Sequence, residues 1–495
     1  MIKKDGQSYD VIIIGGGLSG LTAAALLTQK HLKVLVLEQH YYLGGCAHTF
    51  KRKNYVFDTA IHVIGGAEDG GEVHNLYNQL GIRDQIEFLA VDPLINLCID
   101  KDYYPIPANL QELGTLMCKW FPTDSEAITT VLDEILYMGS LKGNFQFEDL
   151  KKINELERVS YKDYLSNRFN HPHCEKILSS LILFAGSSID ELSTFKMMNI
   201  MASYHGGGFY PKGSSQQLSI CLRDYILKNG GDVQTKRTIK SIDVKGNQVK
   251  GVIDHKGNYY KTQSVISSAN YTVTMNMVNN ETVKQKELTK RQLKKLKPSN
   301  SAVILFTVIK NEDLPEPLSH ETVLFSEENI YSEENMLFNP QKMDGIPVIS
   351  ISCPSLSDLN LAPEGYSIVT FMSLCNAETV ESIRNDKGKD YILEFYLNVL
   401  EQKIPELRNK LVYHEFSTPS TIKKFTFNPE GAVYGWKKTV NQQGMATIGS
   451  KVSIDGVYFT GHWSQDAHGA YGVMRSGRKT AENVLNSKRQ IGVNI

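Results

Sequence analysis

The sequence predicts an α/β fold built on a parallel sheet, and three observations carry that prediction. A run of mostly β-branched residues, Val11-Ile12-Ile13-Ile14, reads as a buried strand that leads straight into Gly15-Gly16-Gly17-Leu18-Ser19-Gly20. An Ala- and Leu-rich helix from Leu21 to about Gln29 follows the glycines. A second apolar strand, Val34-Leu35-Val36-Leu37, then ends in Glu38, 18 residues after Gly20. Each part has a physical task. Gly15 permits the tight turn, Gly17 lets a pyrophosphate approach bare backbone, and Gly20 lets helix and strand pack closely. The turn at Leu18 and Ser19 offers free N–H groups at the positive end of the helix dipole. Glu38 is placed to accept hydrogen bonds from an adenosine ribose. Together these elements predict a Rossmann-like dinucleotide site.

The residues after Glu38 indicate which dinucleotide. A simple NAD domain would proceed into another helix, whereas here Gln39-His40-Tyr41-Tyr42-Leu43-Gly44-Gly45-Cys46 forms a diglycine loop. Such a loop can return to the phosphates and lay bare backbone along an extended FAD. Gln39, Gly44, Gly45 and Cys46 therefore join Gly15, Gly17, Leu18, Ser19, Gly20 and Glu38 as candidate cofactor contacts.

These blocks, with Ala47-His48-Thr49-Phe50 and Phe57-Asp58-Thr59-Ala60-Ile61-His62-Val63-Ile64-Gly65, resemble the phytoene desaturase superfamily. Within it the retinol saturase and carotenoid cis–trans isomerase branch is the most similar. Further blocks follow in order: Gly206 to Leu218, Gly230-Gly231-Asp232-Val233 to Ile242, Val265 to Asn270, Gly431 to Trp436, and Gly456 to Trp463. The resemblance implies an FAD-binding domain of glutathione-reductase type, with the Ile239 backbone against the adenine. It also implies a closing C-terminal block in which Gly461, His462, Gly472, Val473 and Met474 approach the cofactor. Gly469-Ala470-Tyr471-Gly472 opens a helix through Ala481, Val484 and Leu485, and its N-terminus would stabilise negative charge on a reduced flavin. The chain departs from the desaturase pattern there, with Gln465-Asp466-Ala467-His468 where the family carries Pro-Gly-Gly-Gly. That puts plain carotene desaturation in doubt and singles out His468.

Composition agrees with an ordinary globular enzyme. The 495 residues are 41% hydrophobic and 22% charged, enough for two connected domains. A net charge of −1 gives no field for nucleic acid. The seven cysteines form no CxxC pair, so no zinc site or disulfide framework is expected, and a reducing, cytoplasmic setting follows. Met1 to Asp10 is polar, so no secretory signal is expected, and no stretch approaches the ~18 apolar residues of a spanning helix.

The cofactor-type blocks are discontinuous. Residues 1–95, 205–275 and 425–495 read as the FAD-binding domain, interleaved with an α+β substrate domain at 96–204 and 276–424. A substrate cleft is expected between them. In the second domain Thr123 or Ser125 could cap a helix, and Ala302 to Ile309 reads as a strand. Two stretches bear on lipids. Lys284 to Lys297 has seven basic residues and one acid, with Val283, Leu288, Leu293 and Leu296 on an apolar side. It reads first as a solvated helix and leaves peripheral membrane contact open. Lys176 to Gly186 is apolar enough for core or for a tunnel wall. His171-Pro172-His173 reads as a surface loop rather than a metal site. Nothing sets the oligomeric state.

The flavin would carry the chemistry and the protein would add a proton carrier. Candidates are His48, His62, His205, Tyr210, Glu430, Tyr434 and His468, with His48 and His468 preferred as catalytic groups. The expected function is an FAD-dependent desaturase, saturase or isomerase acting on carbon–carbon double bonds of a polyene, isoprenoid or similar apolar small molecule. Two alternatives stay open: a flavin amine or amino-acid oxidase, and a flavin-free binding protein on the same scaffold.

Overall fold

A computed structural model of the chain describes residues 7–141, 145–290, 296–326, 332–342, 347–442, 452–464 and 469–490. Two sheets organise it. The first is a five-stranded parallel sheet in the order Val457–Phe459, Val265–Ser267, Val11–Ile14, Val34–Leu37, Asp232–Gln234. The two strands that open the chain lie at its centre, and a period of two explains why. Val11, Ile13, Val34 and Val36 pack into one core cluster with the Leu18–Gln29 helix, while Ile12, Ile14, Leu35 and Leu37 pack into another on the opposite face. A strand with both faces buried needs an unbroken apolar run, and these have one.

The second sheet has seven strands in the order Leu411–Ser417, Ser301–Lys310, Tyr366–Cys375, Ile349–Ser352, Glu321–Phe325, Ile95–Ile99, Asp102–Ile106. It is antiparallel except where Glu321–Phe325 runs parallel to Ile95–Ile99. The same alternation holds along Ser301–Lys310. Ala302, Ile304, Phe306 and Val308 enter the large core beneath the helices, and Val303, Leu305 and Ile309 enter the core beneath Lys389–Glu401. The antiparallel pair Phe88–Val91 and Gly208–Pro211 lies outside both sheets.

Several local expectations are corrected. The first helix begins at Leu18, so Gly20 lies inside its first turn. Neither Thr123 nor Ser125 caps the Ser125–Ser140 helix: Thr123 sits in a short turn and the Ser125 hydroxyl donates to the Pro122 carbonyl. His171 caps the Pro172–Leu178 helix by accepting the His173 N–H, and His173 is buried beside the Tyr104 hydroxyl, so this pair is not a surface loop. The helix Glu281–Lys290 turns Val283 and Leu288 onto the core, where Leu296 is also buried. Its apolar side is therefore spent within the fold; Leu293 lies outside the described residues. Among the described residues, no helix is long and apolar enough to cross a membrane.

Candidate active site

The carboxyl ends of the parallel strands open onto one cavity of about 300 Å³. This is where ligands bind in open α/β sheets, because loops diverge there and helix N-termini converge. Gly15 follows the first strand, Glu38 the second and Ser268 the fourth in chain order, and all three line the cavity. The mixed sheet supplies another part of the wall through Ile304 and Met372.

The glycines divide by what a side chain would meet. At Gly15, φ is +100°, and a Cβ would lie 2.2 Å from the Ser268 hydroxyl oxygen. At Gly20 a Cβ would lie 2.3 Å from the Gly15 carbonyl oxygen, so the helix can sit this close to the turn only with glycine there. Gly17 is different. Its φ of −73° suits any residue, and the nearest protein atom to a Cβ would be 3.8 Å away. Internal packing does not require glycine at 17, yet the residue lines the cavity at an uncapped helix N-terminus. Bare backbone there leaves room for a phosphate.

The diglycine loop closes on this turn. The Gly44 N–H donates to the Gly16 carbonyl at 2.8 Å, and Gly44 takes φ +115°, a conformation open to glycine. Glu38 is buried at 7% exposure, and its oxygens accept the Gly16 N–H at 2.6 Å and the His40 N–H at 2.7 Å. Burial raises its pKa while these bonds oppose the rise. A carboxylate has about four acceptor sites, so lone pairs are left over for ribose hydroxyls. Arg237 and Ile239 line the cavity beside it, the Arg237 N–H donating to the Glu38 carbonyl at 2.8 Å.

The fit to FAD can be tested on unsatisfied groups. Asn270 caps the Tyr271–Met277 helix through its Oδ1, which leaves Nδ2 buried without a partner at the cavity wall. The His40 Nε2 is unpartnered in the same way. Buried polar groups are nearly always bonded, so two orphans together with the empty face of Gly17 match a polar ligand of this shape.

Of the residues expected to hold the cofactor, Gly15, Gly17, Leu18, Ser19, Glu38, Gln39, Gly44, Gly45, Cys46, Ile239, Gly461, His462 and Val473 line the cavity. Gly20, Gly472 and Met474 do not. On the Gly469–Gln490 helix, Gly469, Ala470 and Val473 share the cavity face by i, i+4 spacing, while Met474 turns into the core. Among the proton-carrier candidates, His48, His62 and Tyr434 line the cavity. The His48 Nδ1 donates to the Gly45 carbonyl at 2.7 Å, and burial lowers its pKa to about 4, so its other nitrogen is a neutral acceptor. His205 instead accepts the Leu110 N–H at a helix start, Tyr210 donates to buried Asp58, and Glu430 is exposed on a turn. His468, with Gln465, Asp466 and Ala467, lies outside the described residues. Sequence reasoning missed Arg237 and Thr238, and gave Asn270 no role, although their places just beyond strand ends are a usable signal.

A parallel sheet with a glycine turn, a buried acid and a returning diglycine loop defines a protein that binds an extended dinucleotide at a two-sheet interface. The model of the flavin containing amine oxidoreductase family matches residues 18–485, and the chain belongs to that family. It is an FAD-dependent oxidoreductase. The all-trans-retinol 13,14-reductase of Danio rerio is 25% identical over 508 residues, covering 92% of this chain and 82% of that protein. The chloroplastic prolycopene isomerase of Daucus carota is 25% identical over 517 residues, covering 97% and 80%. Both match the retinol saturase and carotenoid isomerase branch that the sequence resembles. A crystal structure of an oxidoreductase from Methanosarcina mazei superposes with a TM-score of 0.69 at 17% identity, covering 96% of this chain and all of that one.

Proposed function

We propose that this enzyme acts on a carbon–carbon double bond of a conjugated polyene or related isoprenoid, by saturation, desaturation or isomerisation. One observation carries the choice over an amine. Among the described residues lining the cavity the only carboxylate is Glu38, whose remaining lone pairs are the ones placed for the ribose. No other acidic side chain is there to pair with an ammonium group, and a buried cation without a counter-charge is costly. The wall contributed by Ile61, Val63, Phe184, Ile200, Ile304 and Met372 is instead apolar. The names of the retinol reductase and prolycopene isomerase relatives support the same substrate class.

When bound, the flavin supplies hydride transfer to or from carbon. The chain's own residues bind and exclude. Gly17 and the helix start at Leu18 would face the pyrophosphate, Glu38 the ribose, and the apolar wall would keep water from the double bond. We divide the chain accordingly into a discontinuous cofactor domain (1–95, 205–275, 425–495) and a substrate domain (96–204, 276–424), a division that the two sheets support. The test is anaerobic. Protein loaded with FAD and reduced by dithionite should regain oxidised-flavin absorbance on addition of all-trans-retinol, or should isomerise prolycopene. Loss of neither polyene, with benzylamine or putrescine reducing the oxidised enzyme instead, would replace this reading with an amine oxidase.

A further inference from the structure

The geometry points to His62 as a catalytic residue that exchanges a proton with the substrate, held in place by Glu321 as a positioning residue. This rests on the double-bond reading above, because hydride transfer to one alkene carbon requires a proton for its neighbour. His62 lines the cavity at 7% exposure, and its Nε2 is buried with no hydrogen-bond partner. On the other side of the ring, Nδ1 lies 3.6 Å from a carboxylate oxygen of Glu321. That spacing is a step longer than a hydrogen bond, as catalytic pairs often are before substrate binds.

Glu321 is fully buried at the start of the Glu321–Phe325 strand, and its oxygens accept the Ser350 and Ser352 hydroxyls from the neighbouring strand. Among the described residues, no lysine or arginine pairs with it. An apolar residue would be the less costly occupant of a strand interior, so a carboxyl group behind a cavity-lining histidine calls for a reason other than packing. The backbone around His62 is fixed independently. His320 donates from Nε2 to the His62 carbonyl at 2.8 Å, and its Nδ1 meets the Ser357 hydroxyl at 2.7 Å. Tyr204 and Tyr434, also on the cavity wall, feel the Glu321 charge, and Tyr434 also feels Cys46. Behind His320 stands the ring of Tyr210, bonded to Asp58.

In the saturating direction the bound reduced flavin would supply hydride to one alkene carbon, leaving the π pair on its neighbour. That neighbour takes the proton from His62 Nε2 while Nδ1 takes the carboxyl proton of Glu321. The alkene would thereby be reduced by two electrons and the flavin oxidised by two; Glu321 is left as a carboxylate, and the pair resets when water reprotonates Nε2 and Nδ1 returns its proton to Glu321. Burial raises Glu321 to about 7 and lowers His62 to about 3, so at neutral pH the pair is near the point of holding this proton on the carboxyl.

The test uses FAD-loaded protein and two readouts. In single turnover of dithionite-reduced enzyme with all-trans-retinol, His62→Gln is expected to retain its flavin and react ~100-fold or more slowly. Glu321→Gln is expected to lose the fall in rate that the wild type shows as pH rises through about 7. Separately, ¹⁵N-histidine NMR should show the His62 ring nitrogens, assigned by their loss in His62→Gln, shifting in one step near that pH, and no step in Glu321→Gln. A His62→Gln rate within threefold of wild type, or a wild-type pH profile in Glu321→Gln, overturns the proposal and leaves the polyene reading intact. If the wild type is inert toward retinol and prolycopene, the polyene reading fails. In that case a missing NMR step overturns the pairing as well, and a present one supports it.

Discussion

At the residue scale the glycines separate binding from folding. A Cβ at Gly17 meets no protein atom within 3.8 Å, whereas one at Gly20 meets the Gly15 carbonyl at 2.3 Å. Gly17→Val should therefore leave the thermal midpoint of the apoprotein almost unchanged while strongly lowering the flavin-to-protein absorbance ratio after loading. Gly20→Ala should lower the apoprotein midpoint itself. Equal loss of midpoint in both would show that Gly17 is there for packing. Glu38→Ala should do both at once, because it orphans two backbone N–H groups, each costing about 1–3 kcal/mol when buried. This part of the site was legible because spacing along one short segment encodes it: turn, helix and acid lie within Gly15 to Glu38. Glu321 was not legible. It acts on His62 from 259 positions away, and nothing in His320-Glu321-Thr322 distinguishes a buried acid from a strand-end one.

At the element scale, legibility follows the number of buried faces. Val11–Ile14, Val34–Leu37 and Ser301–Lys310 announce themselves because both faces must be apolar. The strand Leu411–Ser417 is at the edge of its sheet, with residues of both kinds, and no periodicity marks it. Helix starts were read less well, since Leu18 and Ser125 enter their helices without side-chain caps and the usual punctuation is missing. The same contrast predicts energetics. Leu305 is fully buried in the core beneath Lys389–Glu401, so Leu305→Ala should cost about 2–5 kcal/mol in denaturant unfolding. Val412, 46% exposed on the edge strand, should cost within about 0.5 kcal/mol when changed to Ala. Similar losses at the two positions would mean that the long strand is not packed on both faces.

At the scale of the whole molecule, the cavity between two sheets collects buried titratable groups, and their balance sets how stability responds to pH. His48, His320 and His462 are lowered to about 4 and His62 to about 3, in each case first by burial. A histidine depressed in the folded state binds its proton on unfolding. Its contribution is present above the ordinary histidine range and is lost as pH falls toward 4. Asp58 and Glu321 have the opposite sign. Burial raises them to about 6 and about 7, so the folded state holds their protons and their contribution is lost as pH rises through those values. Around pH 5 these four histidines take up protons on unfolding while the two carboxyls release theirs, a net uptake of about two, and on the same wall burial lowers His40 and raises Glu38, which act in opposite directions. At about 1.4 kcal/mol per proton per pH unit, stability should fall by roughly 3 kcal/mol for each unit of acidification there. Denaturant titrations of the apoprotein at pH 5 and pH 6 measure this slope directly. His320→Gln should reduce it by about half, because it removes one of the two uncompensated protons. A slope that is flat in the wild type, or unchanged in His320→Gln, would mean that water reaches these rings in the folded state. The wall around His62 would then be too wet to direct a proton to an alkene carbon.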